Sequence, residues 1–241
     1  MKTIILAAGQ GTRLHPLTDH SPKCLLPIGG SNAIVRLIKQ LFRFGLENIV
    51  AVVGYRKDQV IKEIRDSFGS KIAIVENNRY HHDVNIFSLW LGTANDPSPF
   101  VVFEADTIFE DRCLDLIFAR ETERASACYT YGYFRKGQTA TVLKADDKAR
   151  IIDIRLVKEY EDQYKDYKIL LGLLKVGEDE APVFFKLLSE ACGETIDQPY
   201  FAPWAKHLRK LPCYEVDLTS TMVCTFNTPE AYYSALRKLG E

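Results

Sequence analysis

Short apolar runs alternate with amphipathic segments in the first half of this 241-residue chain, and this alternation most constrains the fold. The apolar runs lie at residues 3–8, 48–54, 71–76 and 100–105. Apolar residues recur at helical spacing at 34–44, 58–68 and 86–92. Short apolar runs closed by glycine or polar residues are typical of buried strands, and strands separated by helices pair in parallel. The pattern predicts an α/β fold with helices on both faces of a mainly parallel sheet.

The second half of the chain is richer in strand-like runs. These runs cover residues 127–134, 139–144, 149–156 and 169–176, and helices are predicted at 181–191 and 229–239. The charged tract KEYEDQYKDYK at 158–168 indicates an exposed loop between two of the strands. Because no repeat and no low-complexity linker divides the chain, we expect a single domain spanning residues 1–241, with a mixed and β-rich second half.

Composition and charge argue against several classes of partner. The chain carries 31 basic and 32 acidic residues, so no overall basic field attracts nucleic acid or an anionic membrane. Its six cysteines are scattered without C-x-x-C spacing, which disfavours zinc and disulfide frameworks. No apolar run approaches the ~20 residues that span a bilayer. Gly9 ends the first apolar run before a signal-peptide core could form, so we expect a cytoplasmic protein.

A glycine loop follows the first predicted strand. Gly9 and Gly11 match the first two glycines of the dinucleotide-binding fingerprint, but the third glycine and the acidic ribose partner are missing. A Walker A loop would need Gly-Lys-Ser/Thr, which is also missing. Small residues let backbone N–H groups approach a phosphate, and Arg13 and Lys23 can add charged hydrogen bonds. The loop therefore predicts phosphate binding, with a purely structural turn as the alternative.

The wider segment around this loop resembles the signature of the sugar-phosphate-type nucleotidyltransferases. The matching residues are LAAGQGTRLHPLT at 6–18 and SPKCLLP at 21–27. In that family the loop wraps a nucleoside triphosphate and the arginine holds the triphosphate. The lysine of the Pro-Lys pair steadies the α-phosphate and the acceptor phosphate. The resemblance therefore implies catalytic roles for Arg13 and Lys23.

The same resemblance implies a Rossmann-like nucleotidyltransferase fold. Residues 1–126 would form the nucleotide-binding half, and residues 127–241 would form a smaller, β-rich acceptor-binding half. The residues that the resemblance assigns to nucleotide contacts within the loop region are Leu6, Ala7, Ala8, Gly9, Gly11, Thr12 and Arg13.

A second segment indicates which branch of the family the chain resembles. ENNRYHHDVNIFSLWL at 76–91 resembles the N-x-x-Y…N-x-x-S-L segment of the cytidylyltransferases that activate phosphocholine and related small phosphorylated alcohols or phosphonates. Sugar-1-phosphate uridylyl- and thymidylyltransferases usually show a glutamine–glycine pattern there. The resemblance implies CTP as the donor, with Asn85 and Ser88 near the nucleotide. Asn85 is also suited to cap the helix that follows it.

The end of the fourth predicted strand resembles the family's magnesium-binding segment. Asp106 matches the aspartate that holds Mg²⁺, and Glu104 and Ala105 would border the nucleotide. A carboxylate at a strand end suits Mg²⁺, which bridges triphosphate oxygens while it keeps several waters. Near the C-terminus the family usually has a second aspartate, and this chain has Asn227 there. An amide oxygen can coordinate the metal without charge, and Asp217 is a candidate substitute.

Aromatic residues of the second half are candidates for the acceptor site. A quaternary ammonium such as choline is held by aromatic faces and a nearby carboxylate. Tyr129, Tyr131, Tyr200 and Trp204 are available for this role, although core packing explains such residues equally well. An exposed apolar patch in this half could also serve a homodimer.

These residues together predict a Mg²⁺-dependent cytidylyltransferase. An oxygen of a small phosphorylated or phosphonate acceptor would attack the α-phosphorus of CTP in line and release pyrophosphate. Because the acceptor oxygen is already anionic near neutral pH, the reaction needs no general base. Two alternatives stay open: a sugar-1-phosphate nucleotidyltransferase that uses UTP or dTTP, and a non-catalytic nucleotide-binding regulatory protein, for which Asn227 is the argument.

Overall fold

A nine-stranded mixed sheet runs through the protein. The computed structural model describes residues 1–119 and 124–240. The strands in these residues are β1 (Lys2–Ala7), β2 (Pro27–Ile28), β3 (Ser31–Asn32), β4 (Ile49–Val53), β5 (Ala73–Glu76), β6 (Phe100–Glu104), β7 (Thr107–Phe109), β8 (Ala127–Tyr133), β9 (Ala140–Ala145), β10 (Ile151–Val157), β11 (Lys168–Val176), β12 (Tyr214–Asp217) and β13 (Val223–Thr225). The helices are α1 (Ala33–Arg43), α2 (Lys57–Phe68), α3 (Ile86–Thr93), α4 (Asp111–Ile117), α5 (Ala181–Glu194), α6 (Ala202–Lys206) and α7 (Pro229–Lys238).

The order of the strands separates a parallel part of the sheet from a mixed part. β5, β4, β1 and β6 lie side by side and pair in parallel. β11 pairs with β6 in the antiparallel direction and joins β8, β9 and β10 to the sheet. Because four parallel strands end at one edge, the loops after β1 and β6 meet there. The predicted α/β fold with a mixed, mainly parallel sheet is confirmed.

Both faces of the sheet are covered by helices. Successive side chains of a buried strand point to opposite faces, so β1 supplies two cores. Ile5 packs in one core with apolar residues of α1, α2 and α4. Ile4 packs in the other core with apolar residues of α3 and α5. The run at residues 4–8 is therefore apolar throughout, because neither of its faces meets solvent.

Several element boundaries differ from the sequence prediction. α2 starts at Lys57, one residue before the predicted Asp58, and Arg56 precedes it in the left-handed conformation with φ 46°. β5 starts at Ala73 and not at residue 71. The helices α4 and α6 were not predicted, because seven and five residues are too short to show a helical period. The tract 158–168 connects β10 to β11 and contains one short 3₁₀ turn.

None of the helices within residues 1–119 and 124–240 is both long enough and apolar enough to span a bilayer.

The packing of α3 on β1 depends on a glycine. A Cβ added to Gly92 would come within 2.5 Å of the Ile4 Cγ2 atom and 3.1 Å of the Val52 Cγ2 atom, in a fully buried region. We expect Gly92→Ala to lower the free energy of unfolding by about 1–3 kcal/mol, because the methyl group forces the helix off the sheet. Urea denaturation of both proteins measures this difference.

Gly193 in α5 provides the matched control. A Cβ there would have no heavy atom within 4 Å, so Gly193→Ala should raise stability by about 0.4–1 kcal/mol through the entropy of the unfolded chain. If both variants were stabilised alike, the close approach of α3 to β1 would be contradicted.

Candidate active site

An open cavity of about 800 Å³ lies at the edge of the sheet where β1 and β6 end. Ligands of doubly wound α/β folds bind at this edge, outside the carboxyl ends of the strands. The predicted site residues that line the cavity are Leu6, Ala7, Ala8, Gly9, Gly11, Thr12, Arg13, Lys23, Asn85, Ser88, Glu104, Ala105, Asp106, Tyr131, Tyr200 and Asn227. The fold therefore brings together residues that are separated by more than two hundred positions in the chain.

The glycine loop is fixed in place at one wall of the cavity. Gly11 has φ 65°, a left-handed conformation that favours glycine, and it precedes a 3₁₀ turn at Thr12–Leu14. The Thr18 hydroxyl donates a 2.9 Å hydrogen bond to the Gly11 carbonyl. A Cβ on Gly11 would contact Lys23 Cβ at 3.2 Å, so the loop lies directly against the lysine side chain.

Lys23 joins three parts of the chain at the base of the cavity. Its ammonium group forms an ion pair with the Asp106 carboxylate at the end of β6, and both side chains are mostly buried. The same ammonium donates a 2.6 Å hydrogen bond to Asn227 Oδ1. Arg13 Nη2 donates to that oxygen as well, at 3.0 Å. Two cations and two oxygen-bearing side chains thus form one cluster.

One oxygen atom of this cluster, Asp106 Oδ1, is free to bind a magnesium ion, whereas Asn227 Oδ1 already accepts hydrogen bonds from Lys23 and Arg13. Asp106 Oδ1 is buried and has no hydrogen-bond partner in the described residues, although its other carboxylate oxygen pairs with Lys23. Asn227 Oδ1 is the neighbouring oxygen, since Lys23 contacts both residues. Mg²⁺ is typically held by one or two protein oxygens, together with substrate phosphates and waters. In the described residues no group of three or more His, Cys, Asp or Glu side chains could hold a metal.

Asp217, the other candidate ligand for the metal, lies outside the cavity. It stands at the end of β12, where one carboxylate oxygen accepts a 2.9 Å hydrogen bond from Lys168 Nζ. The other carboxylate oxygen accepts a 2.8 Å hydrogen bond from the Thr219 N–H group. Asp217 does not line the cavity. The structure therefore does not support Asp217 as a metal ligand, because its partners hold it away from Asp106.

Glu104 is a partly buried carboxylate two residues before Asp106. Burial raises the pKa of Glu104 to about 7, and the Asp106 charge adds to this effect while Lys23 and Arg13 oppose it. Asn85 Nδ2 donates a 3.1 Å hydrogen bond to Glu104 Oε1. Asn85 Oδ1 accepts a 2.8 Å hydrogen bond from the Tyr200 N–H group. Asn85 therefore ties β6 to the segment around Tyr200.

The start of α3 is capped by a residue that the sequence analysis missed. The Asn85 side chain makes no capping hydrogen bond. Asp83 accepts hydrogen bonds from the Phe87 N–H at 2.9 Å and the Ser88 N–H at 2.8 Å. It also accepts from the Ser88 hydroxyl at 2.7 Å. An aspartate three residues before the first helical residue was the available signal, and Asp83 lines the cavity beside Ser88.

Two of the four aromatic candidates do not belong to the cavity. Tyr129 is fully buried in the core, and its hydroxyl donates to the Ile117 carbonyl at 3.3 Å. Trp204 is fully buried against Phe184, with ring centroids 4.7 Å apart. Its indole N–H donates to the Leu211 carbonyl at 2.9 Å. The structure does not support the prediction of these two residues as acceptor contacts, because both side chains are enclosed by protein.

Comparison with known proteins places this site in a family. The family model described as "Nucleotidyl transferase" matches residues 2–155. A 2-aminoethylphosphonate cytidylyltransferase of Lancefieldella rimae is 30% identical over 200 residues, which cover 82% of this chain and 76% of that protein. A choline-phosphate cytidylyltransferase of Streptococcus pneumoniae is 27% identical over 246 residues and covers 100% of this chain and 97% of that protein.

A solved structure shows the same fold. The CTP:phosphocholine cytidylyltransferase from Streptococcus pneumoniae superposes with a TM-score of 0.82 over 99% of this chain and 98% of that chain, at 24% identity. The resemblance inferred from the glycine loop and the segment at 76–91 is confirmed by these relatives. The family model covers more than half of the sequence, so the chain belongs to the nucleotidyl transferase family of enzymes.

Proposed function

We propose that this protein transfers a cytidylyl group from CTP to a small phosphorylated or phosphonate acceptor and releases pyrophosphate. Nucleotidyl transfer follows from membership of the family. The proposal depends most on the cluster of Arg13, Lys23, Asp106 and Asn227, which gathers positive charge and metal-binding oxygens at one point of the cavity. Two relatives named cytidylyltransferases support CTP as the donor and a small acceptor.

The positive charges are suited to stabilise the transition state. In-line attack on the α-phosphorus increases negative charge on the phosphate oxygens, and catalysis of such transfers is mostly positioning and charge stabilisation. Lys23 and Arg13 both line the cavity beside the glycine loop. They can orient the triphosphate and neutralise the developing charge. A phosphate or phosphonate acceptor is anionic near neutral pH, so the protein does not have to remove a proton from it.

Asp106 and Asn227 are the residues that would hold Mg²⁺. When bound there, the ion would act as a Lewis acid that polarises phosphate oxygens. Lys23 keeps both oxygen ligands in position through its two hydrogen bonds, which also offset the charge of Asp106. Asp106 contributes the negative charge of the pair, and Asn227 contributes a neutral amide oxygen.

The proposed compartment is the cytoplasm. All six cysteines are free thiols. Cys128 and Cys213 lie closest, with their sulfur atoms 3.5 Å apart and joined by a hydrogen bond only. Unpaired buried cysteines are in keeping with a reducing compartment.

A screen of pyrophosphate release tests the proposed donor and acceptor. We expect CTP to support turnover with a small phosphorylated or phosphonate acceptor, and UTP and dTTP to support little. The acceptors to compare are 2-aminoethylphosphonate, phosphoethanolamine, phosphocholine, polyol phosphates and sugar 1-phosphates. Turnover confined to UTP or dTTP with a sugar 1-phosphate would contradict the proposal.

Replacing Lys23 tests the charge-stabilising role. We expect Lys23→Ala to lower kcat by about 10²- to 10³-fold, the loss typical of removing one donor to the transition state. Lys62→Ala is the control, because Lys62 is a solvent-exposed lysine on α2 that pairs with Asp66. Steady-state pyrophosphate release at saturating substrates gives both values. Near-normal kcat in Lys23→Ala would exclude the role.

Replacing Asp106 tests the metal assignment. Asp106→Asn removes the charge of the proposed ligand, so the Mg²⁺ concentration that gives half-maximal rate should rise at least about tenfold, since loss of even an outer-shell partner typically costs 10- to 100-fold in metal affinity. Asp217→Asn is the control and should leave this concentration unchanged, because Asp217 lies outside the cavity. If the Mg²⁺ concentration for half-maximal rate rose in Asp217→Asn but not in Asp106→Asn, Asp217 and not Asp106 would be the metal ligand.

A further inference from the structure

The two ends of the cavity differ in charge. Arg13 and Lys23 lie at one end, beside the glycine loop. The opposite wall is formed by β8, β9, β11 and the segment 197–201, and the described residues that line it include no lysine, arginine or histidine. Glu104 and Asp197 add carboxylates to the cavity lining. A ligand with an anionic group at one end and a cationic group at the other fits this distribution.

Glu104 is a partly buried carboxylate of the cavity lining, at the end of β6. Asn85 holds its Oε1 atom with a 3.1 Å hydrogen bond. Its Oε2 atom lies against Gly172 of β11, so closely that a Cβ on Gly172 would come within 2.5 Å of it. Glycine at this position thus makes room for the carboxylate. None of the described residues donates a hydrogen bond to Oε2, and none forms an ion pair with Glu104 at 4.0 Å or less.

Glu104 is a partly buried carboxylate that faces the cavity. Protein around a carboxylate reduces its hydration, so a counter-charge and hydrogen bonds stabilise its charged form. The nearest cations, Lys23 and Arg13, hydrogen-bond to Asp106 and Asn227 instead. A cation brought in by the ligand would supply the missing partner of Oε2.

The end of β6 limits the length of that ligand. β6 ends at Glu104, the chain turns at residues 105 and 106, and both Glu104 and Asp106 line the cavity. Their backbones are therefore no farther apart than two residues of extended chain, about 7 Å. A phosphorus group at the Lys23 end and an ammonium group at Glu104 can therefore belong to one short molecule.

We propose that Glu104 determines acceptor specificity by binding a primary ammonium group of the acceptor. The acceptor class is then a short aminoalkyl phosphonate or phosphate. This inference rests on the proposed cytidylyl transfer and assigns Glu104 to the acceptor, not to the nucleotide. A primary ammonium donates N–H bonds that Oε2 can accept, whereas a quaternary ammonium has none and is held by aromatic faces. Trp204 is packed in the core, but Tyr131, Tyr200 and Phe201 line the cavity, so phosphocholine is the competing acceptor that the test has to include.

The test compares two acceptors of the same length in the wild-type enzyme and in Glu104→Gln. Pyrophosphate release from CTP is measured with 2-aminoethylphosphonate and with 2-hydroxyethylphosphonate, which lacks the cation. We expect wild-type kcat/KM to favour the amine, and Glu104→Gln to lower this preference about 10- to 100-fold, the value of a hydrogen bond to a charged group. Glutamine keeps an oxygen for Asn85, and thermal unfolding confirms that the variant is folded.

Control variants separate the role of Glu104 from general effects of charge. Glu47→Gln changes an exposed glutamate outside the cavity and should keep the wild-type preference. Gly172→Ala adds a methyl group where Oε2 lies and should lower the preference in the same direction as Glu104→Gln.

Three results would overturn the inference. The first is a wild-type enzyme that uses both matched acceptors equally or prefers phosphocholine to the primary amine. The second is a Glu104→Gln variant with the wild-type preference. The third is a Glu104→Gln variant in which only the KM for CTP rises, which would return Glu104 to the nucleotide site. If CTP supported no turnover of any acceptor by the wild-type enzyme, the proposed function itself would fail, and this outcome is distinct from the other three.

Discussion

The ion pair between Lys23 and Asp106 is the interaction on which the rest of the site depends. A carboxylate at the buried end of a central strand needs a cation, and Lys23 supplies it from a loop 83 residues earlier in the chain. The same ammonium holds Asn227, which lies 204 residues after Lys23. One side chain therefore connects the glycine loop, the centre of the sheet and the C-terminal region. The shape of the cavity at this end follows from that connection.

Much of the fold and of the nucleotide side of the site could be predicted because their signals are local. The central residues of β1, β4 and β6 are buried on both faces, so each strand appears in the sequence as a short apolar run. The motif around Gly11 and Lys23 is contiguous, and its parts remain neighbours in the structure. Asp106 follows a strand directly, and the edge of a parallel sheet fixes where such a residue lies.

The acceptor side could not be predicted in the same way because its geometry depends on which face of a strand is covered. Alternation along β8 puts Tyr129 and Tyr131 on one face of the sheet. The sequence does not reveal that Tyr129 is buried within the core while Tyr131 lines the cavity. Asn227 stands at the family's usual place for the second ligand, and Asp217 was a candidate substitute ten residues earlier. Their separation appears only when β12 pairs with β8, and β13 pairs with β7.

The neutral residue at 227 follows from the charges already present at this edge. Glu104 and Asp106 are two carboxylates of one strand end, and the Asp106 charge helps to raise the pKa of Glu104. A third carboxylate at 227 would add repulsion to both. Asn227 provides an oxygen that accepts from Lys23 and Arg13 without adding negative charge. Under the proposed function, an asparagine here would be a weaker metal ligand than an aspartate but would add no repulsion to Glu104, the carboxylate proposed to bind a positively charged acceptor.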